Sequence, residues 1–331
     1  MRQISRALKQ QLFGSALLGS LLIFAAPAAF AWNPYGHMLV AYVGWENMTP
    51  ETRTRASQLL RLNPYYESWK KQIGETKTAE ELDMKIFMLA ATWPDAIKGD
   101  KSFETDGSEG GFRPKGPSAS QNTGYDDKQL HMYWHFYDEP FSSDKKTRLP
   151  EIPAPNSETQ MAAFRKVLSS AEPDALKSYD LTWLIHIVGD IHQPLHGITR
   201  VSEKYKQGDN GGNLVKLSCP DCPKRYNLHW FWDAALGNTG DPKTIPDPNV
   251  VIETASHLHK ANKRSAKNLD VDSWVQDSFK IARDSIYKPL GAGNGPFELD
   301  EKYKKRSKEI ADKQGELAGE RLGNLLNAEL K

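Results

Sequence analysis

An all-α fold is what this sequence predicts: a single mainly helical domain with one short β-hairpin. Three observations predict it. Apolar residues recur at three- and four-residue intervals through 80–91, 158–170, 175–193, 250–264, 271–287 and 298–330, the spacing that gives a helix one buried face. Strand-forming composition is confined to 213–217 and 225–228, either side of Cys219 and Cys222. No repeat or linker divides the chain, and the roughly 300 residues after its leader are enough for one well-buried core.

Taken in order, residues 1–31 read as a secretory signal. Arg2, Arg6 and Lys9 precede an apolar run over 13–26, and Ala29, Phe30 and Ala31 close it with a small-residue cleavage pattern. Cleavage makes Trp32 the first residue of a domain spanning 32–331. The run is shorter than the roughly 18 residues of a spanning helix and no later stretch reaches that length, so we expect no stable membrane insertion and a secreted or periplasmic product. Formal charge is +1, and loss of three basic and no acidic residues (1 − 3) leaves −2. A chain so balanced does not hold polyanions by its surface at large, and any affinity for phosphate is local.

Stretch 99–128, rich in Gly, Ser, Asp and Lys, reads as a mobile surface loop, and Pro-rich 140–157 as another. The helix over 175–193 meets Pro194, whose ring lacks an N–H and clashes with the carbonyl of Asp190, so it bends or ends there. Cys219 and Cys222 are the only cysteines. In an oxidising compartment they favour a local disulfide over a free or zinc-binding pair. Asn47, followed by Met48 and Thr49, is a glycosylation acceptor only in a host that glycosylates.

The chemistry is densest in 184–196, which holds His186, Asp190, His192 and His196. His186 and Asp190 stand four apart, as do His229 and Asp233, and such pairs share a helix face from which both reach one ion. The same residue types recur upstream: His37 behind Trp32, Asp95 in Thr-Trp-Pro-Asp, and His135 in Tyr-Trp-His-Phe. Imidazole with carboxylate, and no thiolate, suits catalytic zinc better than a closed structural site. One such histidine reads as a core or surface residue, and one such pair as a hydrogen bond. Several pairs in one chain point to more than one metal ion.

With Trp32 and His37, Trp-Pro-Asp, Trp-His-aromatic, His-x-x-x-Asp before Gln-Pro-Leu-His, Gly-Gly-Asn and a final His-x-x-x-Asp in that order, the chain resembles a known family. These are the secreted tri-zinc nucleases specific for single-stranded nucleic acid, of the S1/P1 type, related in fold to bacterial zinc phospholipase C. The resemblance covers essentially all of 32–331 and implies three Zn²⁺ per chain. One is held by Asp95, His135, His186 and Asp190, and a second by His196, His229 and Asp233. The third is held by His37, Asp190 and the amine nitrogen and carbonyl oxygen of Trp32. Signal cleavage then has a chemical purpose, because an amide nitrogen has no lone pair to donate and a free amine does. Six charges from zinc, less three from the aspartates and one from a bound hydroxide, leave roughly two positive charges in the pocket.

The resemblance further implies hydrolysis of single-stranded DNA and RNA to 5′-phosphorylated products by metal-bridged hydroxide, between zinc ions about 3.5–4 Å apart, together with 3′-nucleotidase activity. Asp95, Lys98 and Asn213 form the implied catalytic set, the last two near the phosphate or simply structural. Phe136 matches a base-stacking position, with core packing as its alternative, and Asp138 one that bonds a base edge. His192 has no ligand counterpart and is expected to support or pack. The insertion over 197–208 leaves the opposite wall of the base pocket unassigned. The expected partners of this monomer are single-stranded DNA, RNA and 3′-nucleotides, with phospholipid as a side substrate. Zinc phospholipase C is the rival enzyme; Asp233 and the short step from Trp32 to His37 favour the nuclease. A noncatalytic zinc- or nucleic-acid-binding protein is the rival of another class, against which every ligand position is filled.

Overall fold

The computed structural model describes residues 32–330 except 108–121, 143, 145, 220–221, 223–225, 238–243, 256–257 and 259–260. The expected signal segment lies outside the described residues. Helix α1 (Pro34–Asn47) starts on Asn33, whose side-chain oxygen accepts the Gly36 N–H, and Pro34 takes the first turn, where its missing N–H costs nothing. Thr49 and Pro50 start α2 (Pro50–Leu60) the same way. α3 (Tyr66–Ile73), α4 (Ala79–Ala90) and the single turn α5 (Trp93–Ala96) follow. Next come a 3-10 turn (Met132–His135), β1 (Glu139–Ser142), α6 (Ser157–Leu168), α7 (Asp174–His192), a second 3-10 turn (Pro194–Gly197) and β2 (Ile198–Val201). The chain closes with α8 (Leu228–Asp233), α9 (Pro248–Ala255), α10 (Lys263–Ala266), α11 (Val271–Ile281), a π-helical turn (Ala282–Tyr287), α12 (Lys288–Leu290) and α13 (Glu301–Glu329).

Every residue of α7 from Ser178 to His192 is buried, more than the one buried face that its spacing predicts, and it packs against α2, α6, α11 and α13. Its end at Gln193 is where Pro194 requires one. α1 lies along α13, which presents bare backbone to it: a Cβ at Gly319 would sit 2.4 Å from Val43 Cβ. The main core joins α1, α2, α4, α7, α11 and α13, and a second apolar cluster around Leu195, Ile198, Leu228, Trp232 and Tyr287 lies under α8 and β2.

Extended structure is placed differently from expectation. The two-stranded sheet is β1 and β2 in parallel, Glu139 opposite Ile198. Among the described residues the expected hairpin is one antiparallel bridge, Lys216 to Asn227. Asn227 is already the cap of α8, its side chain accepting the Trp230 N–H, which leaves the returning strand no length. Cys219 and Cys222 form the local disulfide. The periodic stretch 250–264 divides, because α9 ends at Ala255 and Asn262 caps a new helix.

The flanks of the expected mobile loop are fastened. Glu104 N–H donates to Lys128 O and Leu130 N–H to Glu104 O, while His131 sits between Asp106 Oδ2 (2.8 Å from Nδ1) and Asp127 Oδ2 (3.0 Å from Nε2). Its ring lies flat on Trp134, centroids 3.6 Å apart. Burial lowers the His131 pKa, but hydrogen bonds and charge from Asp106 and Asp127 outweigh it, and the net shift is upward. Only the protonated ring donates at both nitrogens. The stability so gained is complete below the unfolded imidazole pKa of about 6.5 and is lost as pH rises through the higher folded-state value. Melting curves of the protein and a His131→Gln variant, taken across that range, should draw together towards alkaline pH. A gap that does not change with pH would show that His131 is held neutral.

Candidate metal centre

Seven segments deliver the candidate side chains. The capped start of α1 brings His37 in, α5 Asp95, the Met132–His135 turn His135, and α7 the pair His186 and Asp190. The Pro194–Gly197 turn carries His196, α8 carries His229 and Asp233, and Trp32 precedes α1. All are buried. Gly189 makes room for the approach of α1, since a Cβ there would lie 2.8 Å from His37 Nδ1 and 3.7 Å from Trp32 Cδ1. Asn33 N–H donates to Asp233 O at 3.0 Å and ties the start of α1 to α8.

Among the described residues, donor atoms converge in three groups: His135, His186 and Asp190; His37, Asp95 and His186; and His196, His229 and Asp233. Asp190 divides its oxygens. Oδ2 stands 2.9 Å from His135 Nδ1 and 3.3 Å from His186 Nε2, whereas Oδ1 faces His37 Nε2 at 3.4 Å. The two imidazole nitrogens are 2.9 Å apart, and Asp95 Oδ1 lies 4.0 Å from the first and 3.9 Å from the second. These edges bracket the ~3.3 Å of a tetrahedron of ligands about 2.05 Å from zinc.

The outer ring nitrogens explain which lone pairs face inward. Nδ1 of His186 donates to Ala91 O (2.7 Å), of His196 to His135 O (2.9 Å) and of His229 to Gly211 O (2.8 Å). With the proton on Nδ1, the Nε2 lone pair is turned into the site. Burial, then neighbouring imidazoles, pushes the pKa of His37 and His196 far down; for His135, Lys98 follows burial as a cause; His186 falls to about 4. Burial and then Asp95 push Asp190 up. Neutral imidazole is the ligand form. Both nitrogens of His37, Nε2 of His196 and Oδ1 of Asp190 are buried without a hydrogen-bond partner, a cost of kcal/mol order per group that a bound cation would relieve. The residues fit zinc.

Lys98 Nζ lies 2.8 Å from Asp95 Oδ1, its side chain almost fully buried. Phe136 is 3% exposed and stacks on His196, centroids 4.3 Å apart. Asp138 is buried with a left-handed backbone, φ 58°. Asn213 is half-buried at the end of a turn, its Nδ2 on Asn210 O and its Oδ1 3.5 Å from Asn227 Nδ2. His192 turns away from the centre: Nδ1 donates to Val188 O and Nε2 accepts from Arg321 of α13. Gln193 carries more than its place in the motif suggested, donating from Nε2 to Asp233 Oδ1 at 2.8 Å while its Oε1 accepts the Leu195 N–H.

The family model described as S1/P1 Nuclease matches residues 32–331. The chain belongs to that family. This nuclease is 23% identical over 287 residues to Endonuclease 2 of Arabidopsis thaliana, a match covering 82% of each chain. Family membership makes it a hydrolase of phosphodiester bonds in nucleic acid, and the family is zinc-dependent. Stripping metal with a chelator should therefore lower the melting temperature of the nuclease, and added zinc should restore it. At a thousandfold excess over Kd the stabilisation is about 4 kcal/mol per site. An identical melt with and without chelator would mean that no ion was held.

Proposed function

We propose that this chain is an exported, monomeric three-zinc nuclease that hydrolyses single-stranded DNA and RNA to 5′-phosphorylated products and removes phosphate from 3′-nucleotides. The observation that carries the reading is Asp190, whose two oxygens face different sets of imidazoles. Asp95, His135 and His186 would hold one ion together with Asp190, and His37 with the amine and carbonyl of Trp32 would hold a second with it. His196, His229 and Asp233 make the remaining site. Zinc bound there would supply a Lewis acid for the phosphoryl oxygens and a water ionised near neutral pH.

The chain's own residues place the substrate. Lys98, anchored on Asp95, holds positive charge beside the phosphate, and Asn213 offers an amide to it from the Gly-Gly-Asn turn. Phe136, nearly buried against His196, backs the pocket that takes an unpaired base, and Asp138 accepts from that base's edge. A duplex keeps its base faces covered, so such a site selects unpaired strands. Export comes first, because Trp32 gives an amine to metal only after residues 1–31 are removed.

Two measurements test this reading. Chelator-sensitive hydrolysis of heat-denatured DNA and of RNA should outpace that of duplex DNA and of phosphatidylcholine, and faster cleavage of the lipid would make the enzyme a phospholipase C. Elemental analysis should give three zinc ions per mature chain and two when an extra residue precedes Trp32. Three retained at full occupancy would remove the amine from the ligand set.

A further inference from the structure

His186 and His196 rest their outer nitrogens on carbonyls at the ends of a helix and of a 3-10 turn, where the surrounding backbone leaves the peptide one orientation. His229 has no such support. Its Nδ1–H donates to Gly211 O, and Gly211 and Gly212 are consecutive residues without side chains, in left-handed conformations with φ of 56° and 88°. A peptide between two glycines has more alternatives than any other. The chain cannot stiffen it by choosing a larger residue at 211, because a Cβ there would lie 2.4 Å from Leu195 O.

What fixes the turn is Asp209. Its Oδ1 accepts from Gly212 N–H (3.2 Å), Arg200 N–H (2.9 Å) and the Tyr287 hydroxyl (3.0 Å), and its Oδ2 is 3.4 Å from Arg200 Nε. Asp209 is fully buried, and Arg200 nearly so. The Gly212 N–H and the Gly211 C=O belong to one peptide unit and point in opposite directions. Asp209 thus grips the back of the peptide whose front receives the His229 proton.

We propose that Asp209 is a positioning residue for His229, acting through the Gly211–Gly212 peptide. Carboxylate, peptide and imidazole form a relay. An anion accepting from the N–H draws electron density towards the carbonyl oxygen, which becomes the stronger acceptor. A stronger acceptor at Nδ1–H fixes the tautomer and makes Nε2 more basic, the effect a carboxylate has when it bonds a metal-bound histidine directly. Here the carboxylate works one peptide away, behind the second apolar cluster, with Tyr287 and Arg200 holding its oxygens. The inference rests on the reading of His196, His229 and Asp233 as a zinc site.

The test is zinc affinity, measured on the purified nuclease by competition with a chelator of known strength. Asp209→Asn keeps the shape and an acceptor oxygen and removes the charge. We expect it to fold, with helical circular dichroism and a cooperative melt, yet to release one of three zinc ions at about tenfold lower chelator than the wild type. Asp209→Ala should extend that loss towards about a hundredfold at the same single site. Wild-type affinity at all three sites in the Asn variant, or equal weakening of all three, would overturn the relay and leave Asp209 as packing. His229→Ala separates the two readings: loss of one ion supports the site, whereas three ions retained would remove the site and the relay with it.

Discussion

Collecting imidazoles and carboxylates where water does not reach is the constraint on which this molecule depends. Each such group unmatched by a partner costs free energy of the order of a kcal/mol or more, and several in one place would consume the few kcal/mol by which a domain is stable. The nuclease meets the cost in two ways. Neutral histidines remove most of the charge, and their outer N–H groups are bonded to carbonyls of Ala91, His135 and Gly211. What is left exposed to the interior of the centre is the set of lone pairs that a cation takes.

The fold follows from that centre. α7 crosses the main core with no solvent-facing residue from Ser178 onward, so His186 and Asp190 are brought in by a helix that could not lie elsewhere. α1 and α8 reach the same place from distant parts of the sequence and are joined by one backbone bond, Asn33 N–H to Asp233 O. α13 stabilises the arrangement from behind, with Gly319 against Val43 and Arg321 on His192. His192, inside the motif-rich segment, belongs to this scaffold and not to the metal centre.

The sequence disclosed the centre more readily than the scaffold. His186 with Asp190 and His229 with Asp233 were legible because a four-residue interval means one helix face, and Pro194 marked the helix end correctly. α1 was not, since a helix buried on almost every side has no polar stripe to set off its apolar one, and α2 was passed over although Thr49 and Pro50 carry a helix-start signal. The hairpin is shorter than expected because Asn227, a residue suited to a strand's end, also serves as a helix cap. Asp209 and His131 were invisible for a different reason: each joins a near partner, Gly212 or Asp127, to a distant one, Tyr287 or Asp106, and no local period records the distant half. Gln193 was legible as part of a motif, but its bond to Asp233 needed the fold.

Main-chain oxygens behind His186, His196 and His229 have an evolutionary consequence. A supporting side chain can be lost by a single codon change, whereas a carbonyl persists whatever residue bears it. Sequences of this architecture can therefore diverge widely around their histidines without eroding the groups that orient them, provided the helix ends and the glycine turn keep their shape. Drift is tolerated in residue identity and punished in backbone path.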